Sequence, residues 1–113
     1  MPDCLFCKIV SKEIPAKIYD EDGQIMVFYD IKPKAPVHLL IIPKKHIASI
    51  SQAEESDRDL LGAMLLKAKE IAQKLSLSDR GFRLVANSGR EAGQAIDHLH
   101  IHFLGGKPMS GLG

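Results

Sequence analysis

The segment Asp97-His98-Leu99-His100-Ile101-His102-Phe103-Leu104 limits what this chain can fold into more than any other stretch. On an extended strand, successive side chains leave on opposite faces. His98, His100 and His102 therefore share one face, and Leu99, Ile101 and Phe103 share the other. Histidines on that face recur roughly every 6.6–6.8 Å along the strand. Three of the five histidines in the chain stand on it. The apolar face calls for a core behind it. The imidazole face has three possible uses. A wet face that happens to carry histidines is the plainest, but tags and metal tracts are usually contiguous, not strictly alternating. A metal hydrolase is the second, because His-x-His offers two zinc ligands and a third would complete an open catalytic site. Covalent catalysis is the third: an imidazole nitrogen attacks phosphorus when a neighbour fixes its tautomer and donors neutralise the phosphate oxygens. The segment alone does not choose between the last two.

The remaining sequence supplies the scaffold. A chain of 113 residues fits a single domain, 1–113. With 45% apolar and 26% charged residues the composition is ordinary for a globular protein. A net charge of +1 lacks the basic footprint of a dedicated nucleic-acid binder, while a local site for a small anion stays open. The start, Met1-Pro2-Asp3-Cys4, has no basic region followed by an apolar stretch. The longest apolar run, Val37 to Pro43, is broken by His38 and is too short to span a bilayer. A soluble, cytoplasmic protein with no nucleic-acid or membrane partner is the expectation. In a reducing compartment Cys4 and Cys7 favour metal or redox chemistry over a structural disulfide. The βαβ context of thioredoxin-type redox motifs is absent.

Residues Cys4 to Ser11 read as one or two helical turns. Lys17 to Glu21 and Ile25 to Tyr29 are strands around the Asp22-Gly23 hairpin signal. Pro33 and Pro36 fix a loop, and Val37 to Ile42 is a buried central strand ending at Pro43. Ser51-Gln52-Ala53-Glu54 has the form of a capping box and predicts a long helix after it. In that helix Leu60, Leu61, Met64, Leu65, Ala68, Ile71, Ala72 and Leu75 form an apolar stripe, with Arg58, Lys67, Lys69 and Lys74 opposite. Phe82 to Asn87 is a strand, Ser88 to Gln94 a loop, and His98 to Leu104 the last strand, ended by Gly105-Gly106. Strands, then a helix, then strands indicate an α+β domain with an antiparallel sheet.

His98-Leu99-His100-Ile101-His102-Phe103-Leu104 resembles the histidine-triad (HIT) signature, in which three histidines alternate with apolar residues. Phe28-Tyr-Asp-Ile-Lys-Pro-Lys-Ala-Pro-Val-His38, Leu-Leu-Ile-Ile-Pro-Lys-Lys-His46-Ile, Asn87-Ser-Gly, Gly93-Gln94 and Gly105-Gly-Lys-Pro-Met109 extend the likeness in order over nearly the whole chain. It is nearest to the histidine triad nucleotide-binding proteins, which act as purine nucleoside phosphoramidases. The resemblance implies a HIT-like fold: a five-stranded antiparallel sheet, one long helix and a short N-terminal helix, with the sheet continuing across a homodimer.

It also implies a mechanism. His100 would be the nucleophile and form a nucleotidyl-histidine, with His102, His38 and His98 around it. The amine would leave, and water would then release a nucleoside monophosphate such as AMP. Asp30 would accept the ribose hydroxyls. Phe6, Ile9, Phe28, Ile31 and Leu40 would line the base pocket, and Asn87, Gly93 and Gln94 would contact the phosphate. Relatives often carry Ser or Thr after the Gly-Gln pair, where this chain has Ala95; Asp97 stands where an aromatic or apolar residue is commoner. Some relatives bind a structural zinc, and the matching ligands here are Cys4, Cys7, His46 and His98; no cofactor would be needed for catalysis. Partners would be purine nucleoside monophosphate derivatives. The alternatives are a dinucleoside polyphosphate hydrolase, or a nucleotide-binding scaffold with weak catalysis.

Overall fold

A computed structural model of the chain describes residues 4–111. Helix α1 covers Leu5–Val10; strands β1, Ile18–Glu21, and β2, Ile25–Tyr29, form a hairpin; β3 covers Val37–Pro43. The long helix α2, Arg58–Lys74, precedes β4, Phe82–Val85, and β5, Ile101–Gly105. The five strands make one sheet in the order β1-β2-β3-β5-β4, and every neighbouring pair is antiparallel. This is the α+β arrangement expected. No helix among the described residues is long and apolar enough to cross a membrane.

Alternation along the strands builds two cores, one on each side of the sheet. Ile25, Val27, Leu39, Ile41, Leu99, Ile101 and Phe103 pack with Met64, Ala68 and Ile71 of α2. Met26, Phe28, Leu40 and Ile42 pack on the other side with Phe6 and Ile9 of α1. The long helix therefore covers one face, while the short helix covers only one end of the other. What α1 leaves open is the part of that face that carries His102.

Several boundaries differ from the sequence reading. Helix α2 starts at Arg58, not directly after Glu54. Ser51 lies in a 3-10 turn, Ile50–Gln52, and its hydroxyl meets that of Ser88 at 3.1 Å. Glu54 and Asp57 provide the entry instead, with the Glu54 N–H donating to Asp57 Oδ2 at 2.9 Å. Lys45 holds the same carboxylate at 2.6 Å. Leu65 does not belong to the buried stripe: it is 54% exposed, next to Leu66 at 65%. Strand β4 stops at Val85, two residues before Asn87, and β5 begins only at Ile101. His98 to His100 form an extended lead-in, fixed by the Leu99 N–H donating to the Ile47 carbonyl at 2.7 Å. The alternation of faces survives, with Leu99 in the helix-side core.

The Gly105-Gly106 ending sits in close contact with its neighbours. A Cβ at Gly105 would meet Leu77 Cδ1 at 2.7 Å. Gly106 has φ +96, and a Cβ there would stand 3.0 Å from Pro36. A side chain at Gly106 would thus be strained both by the backbone and by its neighbour.

Candidate active site

The three histidines of the triad face the same side, but their surroundings differ. His98 and His100 are buried, and His102 is half-buried. Phe6 of α1 packs edge-on against the first two, its ring centroid 5.9 Å from that of His98 and 5.3 Å from that of His100.

Backbone partners fix each tautomer, because a carbonyl can only accept and an amide N–H can only donate. His100 Nδ1 lies 2.7 Å from the His98 carbonyl oxygen, so Nδ1–H donates and Nε2 keeps its lone pair. His98 Nε2 lies 2.8 Å from the Pro43 carbonyl oxygen, which leaves His98 Nδ1 with the lone pair. The Lys34 N–H donates to His38 Nδ1 at 3.0 Å, so the proton of neutral His38 sits on Nε2. That Nε2–H donates to His102 Nδ1 at 3.0 Å, and the remaining proton of neutral His102 sits on Nε2. The site holds one imidazole with a free acceptor nitrogen, His100, beside one with a free N–H, His102. Their ring centroids are 5.1 Å apart.

Burial disfavours the charged form of three of these rings, His38, His98 and His102. Burial pushes the His102 pKa down to about 4, helped by the neighbouring His100 and His38. Burial also lowers His38, against the pull of Asp30, whose Oδ2 lies 3.5 Å from His38 Nε2. Burial likewise lowers His98, against its bond to Pro43.

Two clefts meet at this face. One is apolar, about 470 Å³, and is lined by Phe6, Ile9, Phe28, Ile31 and Leu40 among others. All five residues anticipated for a base pocket are thereby brought together, although Ile31 is 92% exposed at its rim. The other is polar, about 510 Å³, and includes His38, His102 and Asn87. Asp30 lines both and stands at their junction.

Of the residues anticipated to contact phosphate, Asn87 lines the polar cleft, while Gly93 and Gln94 are not among its lining residues. Gln94 lines a third cleft with His46 and Asp97. Its Oε1 accepts the Gly89 N–H at 2.8 Å, and its Nε2 donates to the Ala48 and Ile96 carbonyls at 2.7 and 2.9 Å. Both amide hydrogens are engaged, so the side chain pins the loop. Gly93 takes the left-handed conformation, φ +93, closing the Arg90–Ala92 turn. Ala95 is exposed beyond it.

The polar cleft is also lined by Lys32, Lys34, Arg83 and Lys107, none of which the sequence reading singled out. Lys32-Pro-Lys34 was a visible cationic run; Arg83 carried no local signal, because only strand pairing brings it to this face.

Cys4, Cys7, His46 and His98 form a fourth constellation, with one ligand atom from each within 4.8 Å of the others. Cys4 Sγ is 3.2 Å and Cys7 Sγ 3.6 Å from His98 Nδ1, and Cys7 Sγ is 3.3 Å from His46 Nδ1. Sulfur and nitrogen ligands on one tetrahedral zinc stand roughly 3.5 Å apart, given Zn–S and Zn–N bond lengths. The lone pair of His98 points into the cluster. Burial and the adjacent Cys4 push the Cys7 thiol up to about 11, so a cation would be needed to hold two thiolates side by side.

The family described as "Scavenger mRNA decapping enzyme C-term binding" matches residues 3–113. An uncharacterized HIT-like protein of Synechocystis sp. is 52% identical over 108 residues, covering 96% of this chain and 94% of that one. This chain belongs to the histidine triad superfamily. Solved HIT structures carry the same fold. A HIT family hydrolase from Legionella pneumophila superimposes with TM-score 0.94 at 51% identity, over 96% of each chain. A histidine triad nucleotide-binding protein from Candida albicans superimposes with TM-score 0.82 at 34% identity, over 96% of this chain and 85% of that one. The α+β class read from the order of elements and the HIT membership read from the motifs along the chain therefore hold.

Proposed function

We propose that this HIT protein is a hydrolase of nucleoside 5′-phosphoramidates that works through a nucleotidyl-histidine. The observation that carries the reading is the tautomer of His100. Its Nδ1–H is tied to the His98 carbonyl at 2.7 Å, so Nε2 is free to act as a nucleophile. The purine base occupies the apolar cleft, and Asp30 at the junction accepts the ribose hydroxyls. The α-phosphoryl group then lies against the imidazole face, where His102 Nε2–H donates to a phosphate oxygen.

In the first step His100 Nε2 bonds to phosphorus and the P–N bond breaks. Its electron pair stays on nitrogen, and the amine departs with a proton from solvent. In the second step a water oxygen bonds to phosphorus, the P–Nε2 bond breaks, and the water proton passes to solvent. Nucleoside monophosphate is released and His100 recovers its lone pair. Phosphoryl transfer of this kind depends mainly on positioning and charge stabilisation. Here positive charge comes from the cations lining the polar cleft, since burial disfavours the charged forms of His38, His98 and His102.

The similarity to a HIT family hydrolase and to a nucleotide-binding HIT protein supports this reading. The test is amine release from an adenosine 5′-phosphoramidate, with His100→Ala alongside. Turnover should fall by at least about a thousandfold in the variant, as loss of a nucleophile does. Absence of turnover in the unaltered protein, with AMP still bound, would transfer the assignment to polyphosphate substrates or to a binding role.

We further propose that Cys4, Cys7, His46 and His98 hold a structural zinc. The donor set, two thiols and two imidazoles, fits a closed tetrahedral site with no open position. When bound, zinc cross-links α1 to the sheet; the chemistry stays with His100. We also propose a homodimer joined through β4 and α2.

A further inference from the structure

The polar cleft has an unusual charge balance. Lys32, Lys34, Arg83 and Lys107 line it, against one lining carboxylate, Asp30. Among the described residues none of these four cations is ion-paired. Elsewhere Lys12, Lys44, Lys45 and Lys67 are each matched to an acid within 3.0 Å. Among the described residues Asp30 is thus the one carboxylate facing these cations, and the cleft keeps an excess of positive charge.

Sheet register gives that space a direction. Phe28, Leu40, His102 and Val85 stand opposite one another across β2, β3, β5 and β4. In the next row His38 and Arg83 flank Leu104. Strands are about 4.8 Å apart, so Arg83 stands beyond His102 on the side remote from the apolar cleft. A nucleotide whose base fills the apolar cleft, with its phosphorus at the imidazoles, must send its leaving group towards β4. Arg83 is prepared for that position. Its two terminal nitrogens donate to the Ser110 and Gly111 carbonyls at 3.4 and 3.0 Å. Those neutral acceptors orient the guanidinium without cancelling its charge, and among the described residues three of its five N–H groups have no partner.

We propose that the cleft beyond His102 selects a leaving group bearing its own anion, and that Arg83 determines this preference. The inference rests on the phosphoramidase reading above and deepens it. A carboxylate on the amine, as in an amino acid joined through nitrogen to phosphorus, has the required chemistry; so does a phosphate leaving group. The guanidinium fork suits either, since it binds planar or tetrahedral oxyanions through paired N–H groups. The carboxylate takes no part in bond changes. It stays ionised while the P–N bond breaks and the nitrogen leaves with the electron pair and a solvent proton.

Rates for the full chain would be compared on adenosine 5′-phosphoramidates of 4-aminobutyrate, 4-aminobutyramide and 1,4-diaminobutane. These amines share a chain length and end in a negative, a neutral and a positive group. Diadenosine tetraphosphate supplies the phosphate arm. The expected kcat/KM for the carboxylate exceeds that for the amide by about fivefold, the scale an exposed ion pair supports. The diamine is slower still, and the preference shrinks at about 0.5 M salt, where charges are screened. Arg83→Gln brings the carboxylate-to-amide ratio close to one, and Arg83→Lys retains part of it. A ratio on one protein sample is insensitive to the fraction folded. The faster of the carboxylate and polyphosphate substrates identifies which anion the cleft serves. Equal rates on all three phosphoramidates overturn the inference and leave the phosphoramidase reading intact. No turnover of any of them overturns both.

Discussion

His98 and His100 are two residues apart and chemically identical, yet one carbonyl oxygen each sends their lone pairs to different ends of the ring. His98 donates from Nε2 to Pro43 and presents Nδ1 to two sulfurs; His100 donates from Nδ1 to His98 and presents Nε2 to the imidazole face. The same rule makes His102 a donor through His38 and Lys34. The triad residues were legible in the sequence because alternation is a property of the chain. Their tautomers were not, because backbone atoms of Pro43 and Lys34 set two of them. The neutrality of His102 has a consequence for stability. Unfolded, its ring takes a proton near 6.5; folded, only near 4. Between those values the unfolded chain binds more protons, so stability falls as pH drops through that window, and above it this group has no effect. Allowing for solvent screening of a half-buried ring, His102 contributes about 1–2 kcal/mol to the loss between pH 7 and pH 4. Denaturant midpoints at those two pH values, for the unaltered chain and His102→Gln, measure it. The variant should lose less stability, and equal losses would refute the assignment.

Helix α1 is six residues long, too short to persist on its own propensity. Tertiary contacts must hold it: Phe6 against His98 and His100, Ile9 in the small core, and the Cys4 and Cys7 sulfurs beside His46 and His98. Zinc would convert that last contact into a cross-link. Elemental analysis of the purified protein should find about one zinc per chain, and Cys4→Ser with Cys7→Ser should abolish it. The cysteine variant should also melt several degrees lower and bind AMP more weakly, because Phe6 and Ile9 line the apolar cleft. A purified chain that is metal-free and takes up no zinc on titration would end the proposal. At this scale the sequence misplaced the start of α2, since Ser51-x-x-Glu54 and Glu54-x-x-Asp57 are both plausible entries. The Lys45–Asp57 pair, 12 positions apart, favours the second.

The whole molecule leaves one sheet edge conspicuous. Strand β4 pairs only with β5 among the described residues, so its other edge is open. Phe82 at its start is 36% exposed, and Leu65 and Leu66 of α2 are 54% and 65% exposed. Open edges and exposed apolar side chains are what an interface between copies would cover. Sedimentation equilibrium at about 10–100 µM should give twice the chain mass, within the range where a stable homodimer persists. Single-chain mass throughout would exclude the dimer.

The sequence by itself determined the two-faced histidine segment, the α+β class and the family, because each depends on residue order and periodicity along the chain. Residues that line the apolar cleft and the four proposed zinc ligands were also named from it, but only through the resemblance. Tertiary structure decided the rest. Pairing of β3 and β4 on either side of β5 set His38 against His102 and brought Arg83 to the same face. Folding of the loop after β4 engaged the Gln94 amide internally. These outcomes depend on which strands become neighbours and which backbone groups they meet. The Gln94–Ala48 and His38–His102 contacts span 46 and 64 positions of the chain, and no local pattern encodes them.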